Sequence, residues 1–328
     1  MNTTKKLLAS AVAASIAAAV VPAHADIELG EGLTVTGFVD MSFVHSDVDV
    51  DGAETSQDFS IDQVETDFLY AGKDGISAQV DIEYSLEEGT DENEENTSTF
   101  VEQAFITKDF GSGFSVKGGR FLSYSGWETE EPTGLFQYSG AGYGGLFYGG
   151  YQQGVSAYYD TDVVDVMFSV VNDAFDPNES DNENMGIEAG VAVTPVEGLT
   201  AKLFYITNDD NDLINAWASY EVSGWTLAVE LNSAEYADES EATGSLLMAN
   251  YASGDFGITL RVHEWSVDDA AGDTAEESSG ITIAPSYVVT DNLLVVAEYR
   301  MDTIDADGEG AGDEVDVTTI AFEALFTF

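Results

Sequence analysis

Two cations, Lys117 and Arg120, sit three residues apart at the head of a long glycine-rich stretch, residues 123–152, which carries the carboxylates Glu128, Glu130 and Glu131. Fixed positive charges set across a gap from fixed negative ones make a transverse field, which orients dipolar solutes as they pass. Lys202, Arg261 and Arg300 lie, like Lys117 and Arg120, in segments where apolar and polar side chains alternate. The same segments hold Asp40, Glu65, Asp67, Asp81, Glu83, Asp165, Glu188, Glu230, Glu298 and Glu323 on their polar face. Lys117 and Arg120 have opposite parity in such a segment, and a bulge at Gly118 and Gly119 is expected to return both to one face.

A second chemistry is suggested by spacing alone. Asp47, Asp49, Asp51, Gly52 and Asp58 fall at positions 1, 3, 5, 6 and 12 of a calcium-loop template, and Asp305, Asp307, Glu309, Gly310 and Asp316 do the same. The flanks are strand-like rather than helical and position 12 is Asp, so Ca²⁺ is an expectation for these loops and no cofactor is required. Catalysis finds little support. Beyond position 25 there are only His45 and His263, there is no cysteine, and neither a Gly-x-Ser-x-Gly elbow nor a phosphate loop is present. A Ser, His and acid set around His263 and Glu264 is conceivable, but lone histidines on strands are usually structural.

The elements that must position these residues are strands. Segments of about ten residues alternate in character, the clearest being 76–85, with Ile76, Ala78, Val80, Ile82 and Tyr84 on one face and Ser77, Gln79, Asp81, Glu83 and Ser85 on the other. The pattern predicts strands over 33–46, 59–70, 76–85, 99–108, 114–122, 153–160, 163–172 and 185–194. It continues over 199–207, 213–222, 225–234, 244–253, 256–266, 280–289, 293–301 and 315–328. Connections alternate too: tight turns at 72–75, 109–113, 161–162, 195–198, 223–224, 254–255 and 290–292 separate eight longer loops, which hold 37 Asp and Glu but no Lys or Arg.

Lys5 and Lys6 precede an apolar run from Leu7 to Val21 that closes on Ala23, His24 and Ala25, so residues 1–25 read as a cleaved signal peptide and residues 26–328 as the mature protein. No later apolar run approaches the roughly 20 residues of a spanning helix. With 62 acids against nine basic residues the chain excludes nucleic acid as a partner, while 44% hydrophobic and 11% aromatic residues argue against disorder. Sorted loops and oily-out, wet-in strands predict an all-β transmembrane antiparallel up-and-down β-barrel, with about 16 strands, short periplasmic turns and long acidic extracellular loops. Phe110, Phe114, Trp225, Phe256, Phe326 and Phe328 fall near the short turns, and Phe43, Trp127, Trp265 and Tyr299 near the long loops, as two interfacial girdles would.

The final segment, Ile320, Ala321, Phe322, Glu323, Ala324, Leu325, Phe326, Thr327 and Phe328, resembles the insertion signal of outer-membrane barrels, which implies partnership with outer-membrane lipids and the barrel-insertion machinery. A narrower resemblance is to OmpL-like outer-membrane porins, carried by Thr36 to Asp40, by Val101 to Phe105, and by Gly118 to Phe121 running into Gly126, Trp127 and Glu128. It implies a diffusion channel for ions and small hydrophilic solutes, in many cases a homotrimer, with its third long loop folded inward. The acid excess adds a preference for cations. Two other readings remain open from the sequence: a non-conducting structural or adhesive surface barrel whose acidic loops bind cations or a partner, and a secreted acidic β protein adapted to salt.

Overall fold

The computed structural model describes residues 27–50, 55–88, 95–174, 185–208, 211–305 and 314–328. Residues 1–25, the expected signal peptide, lie outside this set. The strands are β1 (Ile27–Gly30), β2 (Leu33–Val48), β3 (Ser56–Ala71), β4 (Ile76–Glu88), β5 (Glu95–Gly111), β6 (Phe114–Leu122), β7 (Tyr151–Asp160), β8 (Val164–Val171) and β9 (Gly186–Val196). They continue as β10 (Leu199–Asn208), β11 (Asn211–Val222), β12 (Trp225–Glu235), β13 (Glu241–Ser253), β14 (Phe256–Asp268), β15 (Thr274–Thr290), β16 (Leu293–Asp305) and β17 (Glu314–Thr327). Each strand from β2 to β17 pairs antiparallel with the next, and β17 returns to β2, so sixteen strands close a barrel. Every predicted strand is present; the extra element is β1, too short to show a period.

Closure runs from Val317 opposite Val48 to Thr327 opposite Phe38. Phe328 then exchanges two backbone hydrogen bonds with Gly37, of 2.9 and 3.0 Å. A Cβ at Gly37 would lie 2.8 Å from the Phe328 ring and 2.3 Å from the Glu65 carbonyl, so the terminal ring needs this glycine. Where β17 ends, β1 takes over the same edge of β2, with Ile27 opposite Val35.

Strand alternation becomes an oily outside and a buried inside. Along β12, Trp225, Leu227, Val229 and Leu231 are exposed, while Ala228, Glu230, Asn232 and Ala234 are buried. Exposed apolar side chains are what a lipid-facing wall requires, because the bilayer rather than water is the solvent there. The short turns use backbone geometry that matches strand twist. Ser223 (φ 51°) and Gly224 (φ 83°) form a two-residue connection with both φ values positive, the signature of a type I′ hairpin. Aromatics exposed at this rim include Phe110, Phe114, Trp225, Phe256 and Phe326. At the opposite rim Phe43 meets Phe59 in a tilted pair and Tyr299 is exposed, but Trp127 and Trp265 depart from the expected girdle: both pack against the apolar cluster inside the barrel.

Candidate functional site

The interior is not lined by polar side chains alone. Ile206, Leu213, Trp217, Ala228, Ala234, Ala242, Leu246 and Met248 turn inward from β10 to β13 and are buried. They are covered by the long segment between β6 and β7, whose Ala141, Tyr143 and Phe147 are also buried. A turn of 3-10 helix at Pro132–Gly134 and one of α-helix, α1 (Gly144–Phe147), are its regular parts. Burial of these rings explains why the segment lies inside, since a Phe side chain removed from water is worth about 1.5–3 kcal/mol.

Polar tethers fix its path across the barrel. Glu188 of β9 accepts from the Ser123 hydroxyl (2.9 Å) and the Tyr124 amide (3.0 Å). Asn215 of β11 accepts from the Gly126 amide at 3.0 Å, and Glu230 of β12 from the Trp127 amide at 3.1 Å and the Tyr148 hydroxyl at 2.7 Å. Glu128 reaches Arg261 of β14, with Nη1 to Oε1 at 2.7 Å, and also accepts from Gln137 Nε2 and the Ala141 amide. Tyr138 shares a hydrogen bond with Ser42 of β2. Ser139 donates to Glu298 of β16, and Arg300 donates to the Gly140 carbonyl at 2.7 Å. Glu188 and Glu230 thus have the expected inward parity, but both are fully buried and act as anchors rather than as a charged pore surface.

The predicted opposition of charges is rearranged. Strand register passes through Gly118 and Gly119 without a shift, so the expected bulge is absent and there is no basic ladder on β6. Lys117 is buried, its Nζ 4.3 Å from the centre of the Phe105 ring and near those of Phe121, Tyr124 and Tyr158, and it donates to the Tyr124 hydroxyl at 2.6 Å. Arg120 instead lies over the Tyr151 ring and gives its Nε to the Glu102 carbonyl. Lys202 covers the Trp217 ring at 4.8 Å. The cations that meet carboxylate and carbonyl groups of the loop are Arg261 and Arg300, and the second is paired with Asp302 at 2.6 Å.

An acidic sector lies on β3, β4 and β5. Glu65, Asp81 and Glu102 are buried, and Asp67 and Glu83 stand half-buried beside them. From the loop Glu131 joins this sector, since the Gln63 amide donates to Glu131 (3.2 Å), Glu65 (3.4 Å) and Glu83 (3.4 Å). Burial, and then the carboxylate of Glu102, push the Glu131 carboxyl up to about 8 and raise Glu130 as well. Among the described residues the ion pairs are Arg261 with Glu128 and Arg300 with Asp302, and the imidazole of His263 lies 3.5 Å from Asp302, so none reaches this sector. Glu102 was missed by sequence reading because it is the unpaired residue of a bulge: Asp81 faces Gln103 and Ile82 faces Val101.

The calcium-template loops fall partly outside the described residues, namely at Asp51, Gly52, Asp307, Glu309 and Gly310. Of the rest, Asp47 accepts from Thr55, Asp58 from the Phe59 amide and Asp316 from Thr303, while Asp49 binds the Asp316 carbonyl through its amide and Asp305 is buried. Among the described residues, the acidic groups close enough to share one ion are Glu65, Asp67 and Asp81, and Glu65, Glu102 and Glu131.

A closed sixteen-strand barrel, apolar outside and crossed within by one long loop, is the architecture of an outer-membrane porin. The chain belongs to the family described as "Putative beta-barrel porin-2, OmpL-like", whose model matches residues 32–328. Solved structures share the fold at low identity. An OmpF of Salmonella typhi, solved with daunomycin, aligns with a TM-score of 0.69 and 15% identity over 92% of this chain and 100% of its own. The outer-membrane channel DcaP of Acinetobacter baumannii gives 0.68 and 14% over 93% and 100%, and an anion-selective porin of Comamonas acidovorans 0.66 and 16% over 90% and 99%. No curated protein matches the chain.

Proposed function

We propose that this barrel is a passive, water-filled outer-membrane channel that prefers cations, with residues 123–152 as its constriction. The observation that carries the reading is the division of charge inside. Arg261 and Arg300 are matched by Glu128 and Asp302, whereas among the described residues Glu65, Asp67, Asp81, Glu83, Glu102 and Glu131 have no ion-paired cation. An unbalanced acidic wall raises the local cation concentration and repels anions. The acidic outer loops of the sequence would add to this effect at the mouth. Membership of a porin family and the lack of a catalytic motif favour a channel over an enzyme. A structural neighbour, OmpT of Vibrio cholerae, has been solved in a trimer form, which makes a homotrimer the assembly to expect.

Swelling of liposomes containing the folded protein tests the reading, using cationic, neutral and anionic solutes of one size. Faster entry of the cation is expected. Equal rates for cation and anion would remove the selectivity, and no swelling at all would leave a closed structural or adhesive barrel.

A further inference from the structure

The carboxylates on β3 to β5 are held in an unusual way. In each of two aspartates one oxygen is tied by neutral donors and the other is left bare. Asp67 Oδ2 accepts from Thr36 at 2.9 Å, and Asp81 Oδ2 accepts from Gln79 at 2.8 Å and from Gln103 at 2.7 Å. Asp81 Oδ1 is buried without any hydrogen-bond partner, and Asp67 Oδ1 and Glu102 Oε2 are buried too, with only the carboxyls of Glu65 and Glu83 and the Tyr151 hydroxyl beside their groups. Asp81 and Glu102 are only 2% and 3% exposed, so bulk water does not explain the missing partners. Buried polar atoms are nearly always satisfied, and groups that are not point to something that completes them.

The carboxylates of this sector stand close enough together to share a cation. Glu65, Asp67 and Asp81 each offer an oxygen within 4.8 Å of the others, and so do Glu65, Glu102 and Glu131, with Glu65 common to both triads. Ligands placed about 2.3–2.6 Å from one ion can stand no more than roughly 5 Å apart, which matches Ca²⁺ with its all-oxygen, flexible shell. Donors that fix the second oxygen of a ligating carboxylate, as Gln79, Gln103 and Thr36 do here, are the usual support of a metal ligand. Lys117 is held among aromatic rings, its charge felt by Asp81 without a salt bridge, and Arg120 gives its Nε to a backbone carbonyl. The bulge in β5 that turns Glu102 into the group is a second departure from regular structure at the same spot.

We propose that this sector binds a divalent cation, Ca²⁺, at Glu65, with Asp67 and Asp81 completing one triad of ligands around it and Glu102 and Glu131 the other. Because Glu131 belongs to the loop and the other four to β3, β4 and β5, the ion ties the constriction to the barrel wall. It also lowers the negative charge that a permeating ion meets. The site is distinct from the calcium-template loops at Asp47 and Asp305, and binding does not depend on whether the channel conducts.

The test is calorimetric titration of CaCl₂ into the full mature chain, folded in detergent and stripped with chelator. Saturable binding with a dissociation constant of about 0.1–1 mM or tighter is expected. Glu65→Gln and Glu102→Gln, which keep shape and reduce mutual repulsion, should each weaken it at least about tenfold, a factor that corresponds to roughly 1.4 kcal/mol. The pair Asp47→Asn and Asp305→Asn should leave it unchanged. Absence of saturable heat up to about 10 mM, well above the weakest range of protein calcium sites, would overturn the proposal. So would wild-type affinity in both glutamine variants, and so would loss of binding only in the Asp47 and Asp305 pair. Tb³⁺ luminescence excited through tyrosine gives a readout on the wild type that needs no variant. Tyr151, whose hydroxyl is 3.5 Å from Glu131, is the expected antenna, and unchanged emission in Tyr151→Phe would count against the site.

Discussion

Removing Arg261 should free part of the loop, and the structure sets the scale of the effect. The Arg261 side chain is fully buried and that of Glu128 is 6% exposed, and their contact is 2.7 Å. Arg261 also donates to the Ser139 carbonyl and to Thr282 Oγ1, so truncation leaves the buried Glu128 carboxylate without its cation and takes a donor from two further acceptors. Breaking a buried pair from one side costs about 3–5 kcal/mol. That is comparable to the docking of one large aromatic and too little to release the whole segment, which keeps its anchors at Glu188, Asn215 and Glu230. Arg261→Ala should therefore leave the barrel folded but raise open-channel noise and make residues near 128–141 sensitive to protease. Combining Glu128→Gln with Arg261→Met removes both charges, and should restore most of the protease resistance because no unpaired charge is left and the Met side chain refills the space. Equal resistance in wild type and Arg261→Ala would refute the tethering argument, and so would a double variant as labile as the single one.

Other consequences follow from the same geometry. Phe147→Ala empties a fully buried ring from the loop and should weaken its docking by about 3–5 kcal/mol, seen as protease nicking within residues 123–152 in an intact barrel. Leu231→Arg places a charge on the lipid face of β12 and should lower folding stability in bilayers by about 2–4 kcal/mol, measured by urea titration, whereas Asn232→Arg faces inward and tests a different term. The raised carboxyl of Glu131 is largely protonated below about 8 and ionised above it, so cation preference should grow as pH rises from 6 to 9, and Glu131→Gln should flatten that rise in reversal-potential measurements.

Barrel architecture was legible because each strand reports its own two environments through period 2, and the turns report their backbone needs through residues such as Ser223 and Gly224. The inward loop was only half legible. Its length and glycines allowed either an inner or an outer position, and the deciding signal lay elsewhere, in strands apolar on both faces. Leu246, Leu247 and Met248 break the alternation because Leu246 and Met248 meet the loop while Leu247 meets lipid. Charge positions were the least legible part. Lys117 and Arg120 looked like a ladder, but cation placement depends on cross-strand neighbours: Phe105, Tyr158 and Tyr151 claim these two, and the loop's Glu128 finds Arg261, 133 residues away in the chain. Glu102 escaped notice because a bulge shifts its parity, and a bulge leaves no mark in a period count.

Single-channel recording of the mature protein in a planar bilayer, with reversal potential taken across a KCl gradient, tests the central claim most directly. An acid-walled channel narrowed by its own loop predicts stable open steps, a potential on the cation side, and larger conductance once Glu128 to Gly134 is deleted. A protein that inserts without conducting, or whose conductance and selectivity ignore that deletion, would contradict it.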